Sequence, residues 1–458
     1  MNYPFKTICC IISSPCHLCN LEYDKVEVVT PVVMIKHGSS PRVWGTPASD
    51  ERIDAYFPQP KSNRGYKPSE FFKTLILMQH EGSFHLDDIR HLQSDEALGS
   101  VLNLNRLPKA TTLGDWLRRM GRQPQMRDAW VKVNQSLLQS ALHCCKKVTL
   151  DIDATEIVAH KADAQWTYKK NRGFMPMVGH IAETGQVVAV DFRDGNVPPA
   201  QNNLAFIQQC RQSLPEGCCL SALRIDAAGY QTKIIEYCDK EGIAYAIRAK
   251  LSATMRAQIE AISETDWQPL YDKQGKRVCG QDTYRTSHCI GDYEKAFTLI
   301  IQRKAIQGQA SLDLESEDCL DEINQGGYVY RAIATNRDTL SDCQIVHWYN
   351  QRAEDSENRI KELKLDFGGG TLPCSDFNAN ALYFLISALS YNLFALMRQL
   401  LPGELAQHRA ITIRWRLYGM AAKVVKTGRQ LFVKLAERHR MLLEQVLIAL
   451  KAFEPPPI

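Results

Sequence analysis

No stretch of this sequence is long enough and apolar enough without interruption to mark a membrane span. The most apolar long segment, Ala379 to Leu401, is broken by Ser387, Ser390, Tyr391, Asn392, Arg398 and Gln399, and it reads as a buried core helix. A secretory signal is missing as well: the apolar run Thr7 to Ile12 is short, only Lys6 precedes it, and no small-residue cleavage site follows. Neither sign of charge dominates, and a net charge of +4 says nothing by itself about a polyanionic partner. There is no internal repeat and no low-complexity tract, which sets aside repeat arrays and disordered linkers. Cys16-x-x-Cys19 lies near Cys9, Cys10 and His17, but no second C-x-x-C follows, so a zinc site is not expected. Cysteine itself is plentiful. The fifteen cysteines, an odd number with adjacent pairs such as Cys144-Cys145 and Cys218-Cys219, suit a reducing cytoplasm better than a disulfide framework.

What remains is a globular composition, 45% hydrophobic and 23% charged, on a 458-residue chain that calls for two to four domains. Residues 1–40 read as a weakly structured extension, with Met34 an alternative start. Residues 41–140 read as short helices. Ser69 can cap one carrying Phe71, Phe72, Leu75, Ile76 and Met78, Leu86 to Leu92 gives a second, and Asp95 opens a third. After Pro108, Thr112 to Asp115 resembles a capping box ahead of a helix that displays Arg118, Arg119 and Arg122. Short helices ending in an arginine-rich one suggest a helix-turn-helix-like module for duplex DNA; the bland counterpart is a helical linker domain.

From residue 141 the texture changes. Val148 to Asp153 alternates as a strand with Asp151 and Asp153 on one face. Further strands are expected over 177–181, 186–192, 219–226 and 243–247, with helices from Pro199 and over 231–238. Strands first, then alternating helix and strand, describe a three-layer α/β domain on a mixed sheet over 141–250. Residues 251–343 read as a β-rich insertion with strands near 296–301 and 327–335, and 344–402 resume the helical pattern. The last segment, 403–458, reads as a basic helical region. Between Arg409 and Arg440 it holds nine Lys or Arg against one acid, Glu437, with Trp415 and Tyr418 interleaved. Such a stripe either contacts phosphates and bases or faces an acidic patch on the same protein.

Three acids stand out. Asp153, with Asp151 as its alternative, ends one strand. Asp226 ends another, ahead of the turn Ala227-Ala-Gly229-Tyr230. Glu357 lies on an amphipathic helix that sets Lys361 and Lys364 on its own face and buries Ile360, Leu363 and Phe367. Carboxylates at strand ends converge on one edge of a sheet, where α/β folds place ligands. Three converging carboxylates repel one another unless a cation neutralises them, and oxygen ligands favour Mg²⁺ or Mn²⁺. Two such ions about 3.5–4 Å apart can activate an attacking oxygen and stabilise the leaving oxygen of a phosphodiester. Taken singly, each acid is as well explained as a helix cap, a turn former or a solvated helix face.

The order Asp153, Asp226 with its glycine-aromatic turn, then Tyr349, Arg352, Glu357 and Lys364 resembles the DDE transposases of bacterial insertion sequences. The branch it resembles carries a tyrosine-arginine-glutamate-lysine signature, and the likeness spans roughly residues 66–400. The resemblance implies an RNase H-like core, interrupted before the last acid, that cuts and rejoins transposon ends with two metal ions. It also implies that Tyr349, Arg352, Lys364 and Arg248 hold DNA backbone. Tyr349 and Arg352 lie one residue further from the acid than that signature prescribes, which puts Ser356 in the usual acid position. One extra residue turns Arg352 about 100° from Glu357 on a continuous helix. Either the helix begins near Ala353 or a π-bulge absorbs the residue; Glu354 is the alternative third ligand.

Behind the first acid, His160, Lys161, Lys169, Lys170 and Arg172 with Trp166 and Tyr168 form a basic-aromatic loop. It reads either as a grip on a DNA strand or as a hairpin tip with half-buried aromatics. The partner implied throughout is double-stranded DNA, as transposon ends and target, acted on by a homodimer in the bacterial cytoplasm at the nucleoid. The rival readings are a metal-dependent nuclease without strand transfer and a DNA-binding protein without catalysis.

Overall fold

Unbroken burial from Val148 to Ile152, as expected of a strand covered on both faces, makes Lys147–Ala154 (β4) a central strand of a large mixed sheet. The computed structural model describes residues 10–13, 20–23, 33–36, 47–94 except 61, 63 and 64, 107–306, 322–427 except 421, and 430–452. The helix expected from Asp95, the loop Ser311 to Asp318 and the Cys16-x-x-Cys19 motif lie outside these residues.

β4 pairs antiparallel with Met177–Ile181 (β8), which pairs with Val187–Asp191 (β9). On its other side β4 runs parallel to Cys219–Ile225 (β10), and β10 runs parallel to Ala244–Arg248 (β11). The spatial order β9-β8-β4-β10-β11 is that of an RNase H-like sheet, with helices Asn203–Gln212 (α6) and Thr232–Lys240 (α7) as crossovers. The expected strand boundaries hold to within one residue; the first crossover helix starts at Asn203 rather than Pro199, after a left-handed Asn202.

The region expected as a β insertion does not stand apart from this sheet. Its strands Tyr328–Thr335 (β16) and Tyr293–Ala305 (β14) add antiparallel beyond β11, followed by Arg277–Ile290 (β13) and Gln268–Tyr271 (β12). Alternation explains the continuity. Leu299, Ile301, Ala332 and Ala334 join the core beneath α6 and α7, while Ile300 and Ile333 face the other way with Ala246. That opposite face is covered by Asp342–Asp366 (α9), through Ile345, Val346 and Tyr349. A capping box starts α9: Ser341 Oγ accepts from Gln344 N at 3.3 Å, and Gln344 Oε1 accepts from Ser341 N at 2.9 Å.

The helices Pro68–Glu81 (α2), Ala110–Gly121 (α4) and Met126–Ala141 (α5) pack around Phe377–Gln399 (α10) in a single hydrophobic cluster. Helices α2, α4 and α5 of the segment 41–140 therefore share their core with α10. Among the described residues α10 is the one helix long and apolar enough to cross a membrane, and its apolar window is wholly enclosed by protein. Gly121 allows the close crossing of α4 and α10, since a Cβ there would stand 2.3 Å from the Asn378 carbonyl oxygen. The capping box expected at Thr112 is absent. Helix α4 already begins at Ala110 after an extended Lys109, and Asp115 pairs with Arg118 instead.

Two further expectations are corrected. The described parts of 1–40 are strands: Cys10–Ser13 (β1) pairs with Val33–Lys36 (β3), and Asn20–Tyr23 (β2) pairs elsewhere. The C-terminal region is not all helical. Ala422–Thr427 (β17) and Gln430–Leu435 (β18), rich in Val, Leu and Phe, form a hairpin that β2 extends in parallel. Only then does Arg440–Ala452 (α12) follow.

Candidate active site

Period-two alternation on two parallel neighbours sets the site. Asp151 and Asp153 share a face of β4, and Arg224 stands opposite Asp151 on β10, two residues before Asp226. Asp226 leaves the sheet as the cap of a short 3-10 turn, its Oδ1 accepting from Ala228 N at 3.0 Å. Gly229 in that turn is dictated by packing, because a Cβ would meet the Ile225 side chain at 2.3 Å.

Asp151 is not available as a ligand, which corrects its candidacy. It is fully buried, and Arg224 Nε and Nη2 donate to its two oxygens at 2.7 Å each. Asp153 is different: its side chain is 28% exposed, with Arg352 Nη2 3.5 Å from Oδ1. Burial first, then the neighbouring charges of Asp226 and Glu357, raise its carboxyl to about 6 against the pull of Arg352. The three acids thus share one electrostatic neighbourhood.

Helix α9 runs unbroken from Asp342 to Asp366, so neither a late start nor a π-bulge absorbs the extra residue. The shift is used instead: Arg352 turns into the sheet, buried, and donates to Ile152 O at 3.1 Å beside Asp153. Ser356, in the usual acid position, is buried with its Oγ unpartnered, while Glu357 is exposed. The side chain of Glu354 lies outside the described ones. Tyr349 is buried, with the Arg248 guanidinium 5.7 Å from its ring centre. Its hydroxyl is held above its ordinary range by burial, while Arg352 and Arg248 pull it down and Asp226 and Asp153 push it up.

Lys364 reaches back to the segment that follows Asp153, donating to Thr155 Oγ1 at 3.1 Å and Glu156 O at 2.5 Å; burial lowers its ammonium pKa. Lys361 is exposed. Arg118 and Arg119 are exposed on α4, Arg118 paired with Asp115 at 2.7 Å, far along the chain from the acids. Lys169 and Lys170 are exposed on a hairpin tip next to Trp166 and Tyr168, which are 65% and 61% exposed, not half-buried. Part of the C-terminal basic stripe is structural: Arg409 pairs with Asp366, Arg440 with Glu437 and Glu444, and Tyr418 is buried, though Trp415 is 77% exposed.

Among the described residues no group of three or more His, Cys, Asp or Glu side chains is placed to hold a metal ion. The donor set still fits a hard divalent ion. All three candidates are oxygen donors, and the burial that chiefly lifts Asp153, with the nearby charges of Asp226 and Glu357 adding to it, is a cost that a bound cation would offset. Around them stand buried polar atoms with no partner: Arg248 Nη1, Arg352 Nε, Ser356 Oγ and Tyr230 Oη. Unpartnered guanidinium N–H groups beside carboxylates suit a bound phosphate bridged by metal. Sequence reading missed Arg224; its signal was a lone cation between Leu223 and Ile225, two residues ahead of Asp226.

Sheet order, crossovers and acids on β4, β10 and α9 define an RNase H-like core. The chain belongs to the family described as transposase DDE domain group 1, whose model matches residues 51–454. Among solved structures, a cryo-electron-microscopy structure of piggyBac transposase in a synaptic complex with hairpin DNA matches with a TM-score of 0.42 and 11% identity. The match covers 88% of this chain and 76% of that one. No curated protein matches this sequence.

Proposed function

We propose that this chain is the transposase of a bacterial insertion sequence, cleaving element ends and joining them to target DNA. Asp153, Asp226 and Glu357 would hold Mg²⁺ or Mn²⁺, and the ions would supply Lewis-acid stabilisation of the attacking and leaving oxygens. The chain's own contribution is positional. Arg352 and Arg248 offer N–H groups to phosphate oxygens, buried Tyr349 keeps Arg248 over its ring, and Lys364 fixes the segment behind Asp153. Double-stranded DNA is the substrate, a homodimer holds two ends, and the work is done in the cytoplasm at the nucleoid.

The observation that carries this reading is the placement of Asp153 and Asp226 at the same end of neighbouring parallel strands in an RNase H-like sheet, with Arg352 of the Glu357 helix 3.5 Å from Asp153. End-cleavage and strand-transfer assays with Mg²⁺ test it. Asp226→Asn and Glu357→Gln are expected to abolish both products while leaving the fold intact. Wild-type activity in either variant overturns the ligand assignment, and cut but never joined strands from the wild-type protein overturn transposition.

A further inference from the structure

Four residues after Asp153 the chain leaves the sheet to build a small one of its own, Ile157–Val158 (β5), Gln165–Trp166 (β6) and Arg172–Phe174 (β7), in the order β5-β7-β6. Its tip, Trp166 to Arg172, contains no acidic residue and carries Lys169, Lys170 and Arg172. Trp166 and Tyr168 are about two-thirds exposed there, at 65% and 61%.

The tip is rigid. Thr167 N donates to Asn171 O at 2.8 Å, Lys170 N to Thr167 O at 3.0 Å, and Lys170 adopts a left-handed φ of 61°. Glu156 turns its carboxylate inward to the Thr167 hydroxyl and the Asn171 amide, and Arg172 is spent on the Ala162 and Ala164 carbonyls. The root is tied to α9, because Lys364 donates to Thr155 and Glu156. Flat aromatic faces, held still and flanked by lysines, match an unstacked base with its adjoining phosphates; a paired duplex hides its base faces.

We propose that this hairpin stacks an unpaired nucleotide of the bound DNA end on Trp166 and Tyr168, with Lys169 and Lys170 on the neighbouring phosphates. The proposal rests on the transposase reading above and names the strand feature that its site takes. Position limits the nucleotide. Arg172, opposite Trp166, lies six residues before Val178, the register partner of Asp153. Six residues at about 3.3 Å each, plus two cross-strand steps of about 5 Å, put Trp166 at most ~30 Å from the acid. At ~3.4 Å per nucleotide step, the stacked base falls within roughly nine nucleotides of the cut.

The test compares a blunt duplex with the same duplex whose terminal bases are splayed, each carrying 2-aminopurine near its end, bound by full-length protein. Wild-type protein should quench the splayed probe. Trp166→Ala should bind it roughly ten-fold or more weakly with quenching lost, while its affinity for the blunt duplex is kept. Trp166→Phe should restore most of the difference. Equal losses on both DNAs, or no loss on either, overturn the stacking proposal alone. A wild-type protein that binds neither DNA overturns the transposase reading beneath it.

Discussion

Arg224 and Asp151 face each other across neighbouring parallel strands, and the guanidinium closes on both carboxylate oxygens at 2.7 Å. The third arm of Arg224 donates to the Trp348 carbonyl of α9 at 2.6 Å. One buried ion pair therefore joins the strand before Asp153, the strand before Asp226 and the helix of Glu357.

Breaking one half of that pair leaves an uncompensated buried charge. Asp151→Asn or Arg224→Met should each cost about 3–5 kcal/mol, read as a lower urea midpoint. The double replacement Asp151→Leu with Arg224→Met should cost much less than the two single losses together. If the single variants unfold like wild type, the pair does not anchor these elements.

Arg414 holds together the ends of two helices. Its Nε donates to His80 O at 2.6 Å and its Nη2 to Gln79 O at 2.9 Å and to Asp366 O, closing the last turns of α2 and α9. Arg414→Met should destabilise by about 2 kcal/mol through two unpaired carbonyls, His80 O and Asp366 O, since Gln79 O keeps its bond from Gly82 N. Amide exchange should quicken in the last turns of both helices; protection unchanged from wild type would contradict that capping role.

His80 should make the protein sensitive to acid. Burial first, and the Arg414 cation second, hold its imidazole down to about 3. Between that value and the unfolded value near 6.5, the unfolded chain binds the proton and the folded chain does not. Stability should therefore fall as pH drops below about 6.5, by up to about 1.4 kcal/mol per pH unit, and be flat in this respect above it. Urea unfolding of wild type and His80→Gln at several pH values checks this: the variant should show the shallower dependence.

Much of this was legible in the sequence because strand alternation is local. Val148 to Asp153 and Cys219 to Asp226 announce both period and end point, so the ladder that carries two of the acids could be read directly. The continuity of the sheet through β14 and β16 was not legible. Nothing in the two apolar segments around Ala296 and Gly327 says that the second of them pairs with Ala244–Arg248 as well as with the first. The same limit applies to Asp151. Its same-face placement with Asp153 was visible, but its loss to Arg224 depends on an inter-strand register, which distant segments settle jointly. For Arg352, spacing along the helix suggested a turn away from Glu357, and the structure shows the destination, Asp153 and the Ile152 carbonyl.

The enclosure of α10 by α2, α4 and α5 has a consequence for how the protein is made. Its first helices emerge from the ribosome well before Phe377–Gln399 is synthesised. At about 5–20 residues per second, their greasy faces wait on the order of tens of seconds for their partner. A nascent chain stalled in that interval is exposed to capture by chaperones or proteases, and a truncation that removes Phe377–Gln399 would make the wait permanent.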